Sequence, residues 1–134
     1  MSDPRTAQSL ANLSAAIQRL AEAVEQTGDD PIKADAVIHR FEFVIELFWK
    51  TLKRMLADEL IQATTPKEAL QQAFKAGWLD REELWLGMLK DRNETSHIYS
   101  EQMARRVSER VRLYLPEIRK AAALLLERSG REST

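Results

Sequence analysis

The chain has 134 residues, 44% hydrophobic and 31% charged, with a net charge of −1 and no cysteine. This length suits one domain (1–134) with a real core, and the composition reads as folded and soluble rather than disordered. The absence of cysteine excludes disulfides and thiolate metal sites, and the near-neutral charge argues against indiscriminate nucleic-acid binding.

The start, "MSDPRTAQSL", lacks the basic and apolar regions of a signal peptide, and no apolar run approaches membrane length, so a cytoplasmic protein is expected. Apolar residues then recur at helical spacing throughout. Leu10, Leu13, Ile17, Leu20 and Val24 line a first helix that "TGDDP" ends. A second runs from about Ile32 to Glu59, with Phe41, Ile45, Phe48 and Leu52 on one stripe and a blurred end at "LIQAT". Thr65, Pro66 and Glu68 start a third helix as a cap, a first-turn proline and the third position of a capping box, and Gly77 stops it. Asp80 and Glu83 repeat that signal for a fourth, with Leu84, Met88 and Trp85 inward. Ser100 caps a long last helix whose apolar set is Met103, Val107, Val111, Tyr114, Ile118, Ala122 and Leu125. Pro116 should kink or divide it, and 126–134 should be a frayed tail. Long helices joined by short connections predict an all-α, antiparallel up-and-down bundle of four main helices and one short one.

The stretch "DRNETSHIYS" (91–100) interrupts this apolar patterning. Beside it, residues 100–120 carry six basic side chains (Arg105, Arg106, Arg110, Arg112, Arg119, Lys120) against three acidic ones (Glu101, Glu109, Glu117), while residues 1–31 carry two against five. A basic helix beside the stretch can attract phosphate; an ordinary solvated face explains it equally well.

A di-iron bundle needs two Glu-x-x-His pairs. Glu94 and His97 supply one, but His39 has Ala36 three residues earlier. Glu42 and Glu46 are accounted for by surface ion pairs, since Lys50 follows Glu46 by four. No metal site is expected. Nor is there a Gly-x-Ser-x-Gly elbow or a glycine-rich phosphate loop.

Arg92, Asn93, His97 and Tyr99 remain. In an unbroken helix, residues five apart are rotated by roughly 140°, so Arg92 and His97 converge only if the helix ends between them or a second subunit supplies one of them. Convergence would suit phosphodiester cleavage. Arginine offers a fork of donors to phosphate oxygens, and histidine moves a proton near neutral pH. RNA brings its own 2′-hydroxyl nucleophile, so no metal or cofactor is needed. The structural alternative is that Arg92 pairs with a carboxylate and His97 packs at a helix junction.

Three blocks, "RFEFVIELFWKTLKRML" (40–56), "TPKEALQQAFKAGWLD" (65–80) and "ELWLGMLKDRNETSHIYSEQMA" (83–104), resemble in order those of the HEPN-fold family of nucleotidyltransferase substrate-binding proteins, related to the HepT toxins. The likeness spans roughly residues 10–128. It implies a homodimeric helical bundle and a minimal nucleotidyltransferase encoded by a neighbouring gene as partner. Arg92, Asn93 and His97 fit the pattern of HEPN ribonucleases, and Tyr99 extends it to the HepT form, Arg-x-x-x-x-His-x-Tyr, in which the transferase attaches nucleotide to this tyrosine.

Two functions follow. One is a metal-independent RNase toxin of a toxin–antitoxin pair, with Arg92 on the scissile phosphate, His97 as general acid or base, Asn93 orienting, Arg105 and Arg106 holding the backbone, and Tyr99 as control point. The other is a non-catalytic subunit that binds nucleotide or presents substrate to the transferase. Trp49, Trp78 and Trp85 read as core or dimer contacts rather than base platforms.

Overall fold

The structure, a computed structural model, describes residues 3–26, 30–98 and 100–132. Among these there is no strand, and five α-helices follow one another: α1 (Pro4–Glu25), α2 (Pro31–Asp58), α3 (Pro66–Lys75), α4 (Glu82–Glu94) and α5 (Glu101–Glu132), with a short 3-10 turn at Thr95–His97. None is long and apolar enough to cross a membrane.

Three helices start the same way. Asp3, Asp30 and Thr65 turn a side-chain oxygen onto a first-turn N–H, and a proline follows each, where no amide partner is needed. Thr65 accepts from the Glu68 amide at 3.1 Å, as the sequence predicts, but Glu68 reaches back to the Thr64 amide and hydroxyl, both at 2.8 Å, rather than to the cap residue. These bonds from Thr64 hold the Glu68 carboxyl below its ordinary range. Ser100 caps α5 by accepting from the Met103 amide at 3.1 Å.

The helix ends are less uniform. After α3, Gly77 takes φ +78°, and its N–H and that of Trp78 return to the carbonyls of Phe74 and Ala73. The same closure ends α2, but its left-handed residue is Leu60, at φ +64° and 96% exposed. A leucine gives no warning of this conformation, which is why the end of α2 is blurred in the sequence.

Three expectations are corrected. The residue before α4 is Arg81, in the left-handed region at φ +59° and with no side-chain cap; Asp80 pairs with Lys120 at 3.5 Å instead. Burying Trp78 and Leu79 moves the chain one residue further before the helix can begin. Pro116 does not divide α5, which runs on through it; the ring lies on an exposed side of the helix, where a carbonyl that loses its N–H partner can be solvated. Met103 is exposed, and Ala104 and Ala121 take inward places. Over 126–130 α5 continues, Ser129 is buried, and the Arg128 guanidinium sits 5.3 Å from the Trp78 ring centroid.

One apolar cluster joins the helices, with Leu13, Leu20, Phe41, Phe48, Leu52, Trp85, Met88, Ile118 and Leu125 among its most buried members. Each such side chain contributes about 1.5–3 kcal/mol by leaving water. α2 is the hub, touching all four other helices. Phe48 meets Trp85 with centroids 4.5 Å apart, anchoring α4 on α2. The buried Trp85 N–H has no acceptor among the described residues, a local cost of about 1–3 kcal/mol that the ring's burial offsets. Thr6 donates to Asp58 at 2.7 Å, which puts the start of α1 beside the end of α2. At its other end α1 is closed by Arg112 of α5, which donates to the carbonyls of Val24 and Gln26 at 2.6 and 3.3 Å.

Candidate functional site

The polar run 91–98 lies where α4 gives out. Helical geometry holds through Glu94, tightens into the 3-10 turn at Thr95–His97, and opens to extended backbone at Ile98. Thr95 secures the change twice over: its backbone N–H and its hydroxyl, the latter at 2.6 Å, both donate to the Arg92 carbonyl at the helix end. The helix therefore ends between Arg92 and His97, the first of the two conditions for their convergence. Asn93 and His97 are exposed and Arg92 is half-buried. Tyr99 lies outside the described residues.

Arg92 does not point freely into solvent. Its Nη2 donates to Glu46 Oε2 of α2 at 3.4 Å, with both side chains about one-third exposed (35% and 34%). The same Oε2 accepts from the Trp49 indole N–H at 3.1 Å, and Oε1 meets Lys50 Nζ at 3.2 Å. Partial burial works against the charge of Glu46, but the bonds from Trp49 and Lys50 and the charges of Lys50 and Arg92 outweigh it, holding the carboxyl below its ordinary range. The carboxylate pairing of Arg92 thus holds, as does the predicted Glu46–Lys50 pair. His97 is exposed in the turn between α4 and α5.

Asp91, which sequence reasoning passed over, fixes the place of Arg92. It is 7% exposed, and its Oδ2 accepts from Arg110 Nε at 2.9 Å and from the Tyr114 hydroxyl at 2.5 Å. Arg110 and Tyr114 stand one turn apart on α5, so the carboxylate ties the end of α4 to that helix. The bond to Asp91 raises Arg110 above its ordinary value. Burial, the bond to Asp91 and its negative charge push the Tyr114 phenol well above the ordinary range. The Tyr114 ring is stacked on Phe41 with centroids 5.9 Å apart. The i, i+4 spacing of Arg110 and Tyr114 was the available signal, but nothing local joined it to Asp91.

Arg105 and Arg106 are exposed on the second turn of α5. Arg105 lines a cavity of about 150 Å³ with Asp30, Lys33, Glu109 and Arg112. That cavity has mixed charge, which suits the ordinary solvated face better than a basic phosphate site. Among the described residues, no group of three or more His, Asp or Glu side chains could hold a metal ion.

The fold and this cluster define a class: an all-helical protein with an arginine–histidine motif at the end of its fourth helix. Residues 8–127 match the family model described as nucleotidyltransferase substrate binding protein like. The chain belongs to this HepT-related HEPN family. It is 31% identical over 122 residues to the probable ribonuclease HepT of Haemophilus influenzae, covering 78% of this chain and 83% of that protein. It also resembles a Thermus thermophilus protein of known crystal structure, with a TM-score of 0.74 and 32% identity over 87% of this chain and 98% of that one.

Proposed function

We propose that this protein is the HEPN partner of a minimal nucleotidyltransferase and a metal-independent ribonuclease of a toxin–antitoxin pair. The observation that carries the reading is the uninterrupted Arg92–Asn93–His97 run at the break after α4, with Asn93 and His97 exposed and Arg92 half-exposed. The likeness to a probable ribonuclease supports it.

In this reading Arg92 grips a non-bridging phosphate oxygen, exchanging Glu46 for the substrate. The ribose 2′-oxygen attacks phosphorus and the bond to the 5′-oxygen breaks, giving a cyclic 2′,3′-phosphate and a 5′-hydroxyl. His97 takes the 2′ proton or supplies one to the leaving oxygen, and Arg92 stabilises the charge between them. Asn93 orients the histidine or the phosphate, and Arg105 and Arg106 steady the strand. Residues 1–134 act as one antiparallel up-and-down bundle, which the Thr6–Asp58 bond and the short connections support. Two copies pair as a homodimer in the cytoplasm, bringing two motifs to one cleft. The transferase, encoded by a neighbouring gene, silences the site by nucleotidylylating Tyr99, which adds bulk and negative charge where phosphate must bind.

Purified protein should cleave RNA in the presence of a chelator, His97→Ala should abolish cleavage, and the transferase with nucleotide should suppress it. Cleavage lost with chelator counts against the scheme. The pairing of Arg92 with Glu46 favours a second reading, a non-catalytic substrate-binding subunit, because a neutralised guanidinium suits recognition as well as catalysis. Intact RNA together with stoichiometric binding of the transferase would select it.

A further inference from the structure

A groove without acidic lining lies where α1 meets α2, apart from the motif. Ala16 and Arg19 of α1 and His39, Arg40 and Phe43 of α2 surround a cavity of about 220 Å³. Its lining has three side chains able to carry positive charge and no carboxylate. Arg19, His39 and Arg40 are exposed, and Phe43 keeps 51% of its surface in contact with solvent. Four other arginines are engaged within the fold: Arg92 meets Glu46, Arg110 meets Asp91, Arg112 closes α1 and Arg128 covers Trp78. Among the described residues, neither Arg19 nor Arg40 pairs with a carboxylate.

The groove is also in line with the candidate site. At 100° per residue, His39, Phe43, Glu46 and Lys50 fall within a wedge of roughly 60° on α2, and His39 lies about 10 Å along the helix from Glu46. One stripe therefore runs from the groove to the carboxylate that holds Arg92. A π face between guanidiniums is what a stacked base and its flanking phosphates require. A second copy on a twofold axis would instead oppose like charges, which disfavours it as occupant.

We infer that the groove of Arg19, His39, Arg40 and Phe43 binds the segment of single-stranded RNA that adjoins the nucleotide at Arg92, with phosphates on the guanidiniums and a base against Phe43. This rests on the ribonuclease reading for its substrate, but not for its test.

The test measures binding of a short fluorescent single-stranded RNA by anisotropy across a salt series, in the full chain carrying His97→Ala so that cleavage plays no part. Adding Arg19→Gln or Arg40→Gln should weaken binding and lower the slope of log affinity against log salt by about 0.7 each. Phe43→Ala should weaken binding about 5- to 150-fold and leave that slope unchanged. All three positions are exposed, and thermal melts check that each variant folds. Unaltered affinity and slope in the three variants would overturn the inference. So would a fall in sedimenting mass on Phe43→Ala, which would identify a second copy as the occupant. If the variants behave as expected but the unmutated protein leaves RNA intact, the groove stands and the ribonuclease reading fails. If the unmutated protein cleaves RNA while the groove variants bind it unchanged, the ribonuclease reading stands and the groove fails.

Discussion

Replacing Asp91 by alanine tests whether the α4–α5 tie is as tight as its geometry. Two groups lose their acceptor at once. The hydroxyl of Tyr114, a residue only 8% exposed, is left buried and unbonded, which costs about 1–3 kcal/mol. Arg110 is 43% exposed at its side chain and re-solvates, so its loss is held to the level of a surface pair, about 0–1 kcal/mol. The expected destabilisation is about 2–3 kcal/mol, or roughly 10 °C in melting temperature for a chain of this size. Tyr114→Phe keeps the stacking on Phe41 and should cost only about 1 kcal/mol. In the double variant no hydroxyl is stranded, so its cost should fall short of the sum of the two by about 1 kcal/mol or more. Urea unfolding followed by circular dichroism at constant m-value gives all three numbers. Additive costs, or an Asp91→Ala penalty below about 0.5 kcal/mol, would refute the reasoning, because either means the hydroxyl finds another partner.

Leu60→Gly should stabilise the protein by about 1 kcal/mol, since the left-handed residue closing α2 is fully exposed and loses no packing; a lower urea midpoint would contradict this. For Tyr114, the folded phenol is raised above its ordinary value of 10.0, so its contribution is complete below that pH and lost as pH rises through the folded value. Phenolate absorbance should accordingly contain a component titrating above 10.0 that Tyr114→Phe removes, and identical curves would count against it. Glu46 behaves in the opposite sense: its lowered carboxyl contributes above the ordinary value of 4.5, and that contribution disappears as pH falls through the lower folded value. Glu46→Gln should flatten the acid limb of the stability profile, and a limb of unchanged steepness would show that Arg92 and Lys50 do not stabilise the carboxylate.

What the sequence discloses here is chiefly what neighbours along the chain decide. Thr65 and Glu68 are three residues apart, Ser100 caps an amide three residues on, and Gly77 is the residue type its backbone conformation favours. Periodicity likewise finds Phe41, Ile45, Phe48 and Leu52, all buried. It fails where a small rotation matters, exchanging Met103 for Ala104 at the inner edge of α5, because both satisfy the helical period. Leu60 in a glycine's conformation carries no composition signal at all. The candidate site divides in the same way. Its arginine and histidine are visible as a run, and so is the break between them. The partners that set their electrostatics are not, since Glu46 lies 46 residues from Arg92, and Tyr114 lies 23 from Asp91. Charged residues on a helix look alike until tertiary contacts choose among them.

The closure of α1 by Arg112 makes the first helix's ending depend on the last helix. Those carbonyls precede their donor by 86 to 88 residues, an interval of about 4–17 s at ordinary rates of chain synthesis. During that time α1 and α2 can pair through Leu13, Leu20 and Phe41 while the flank awaiting Val111 and Ile118 remains wet. For this small helical protein, translation sets the earliest moment of completion, and the emerging hairpin is the form that the cell's folding machinery meets first.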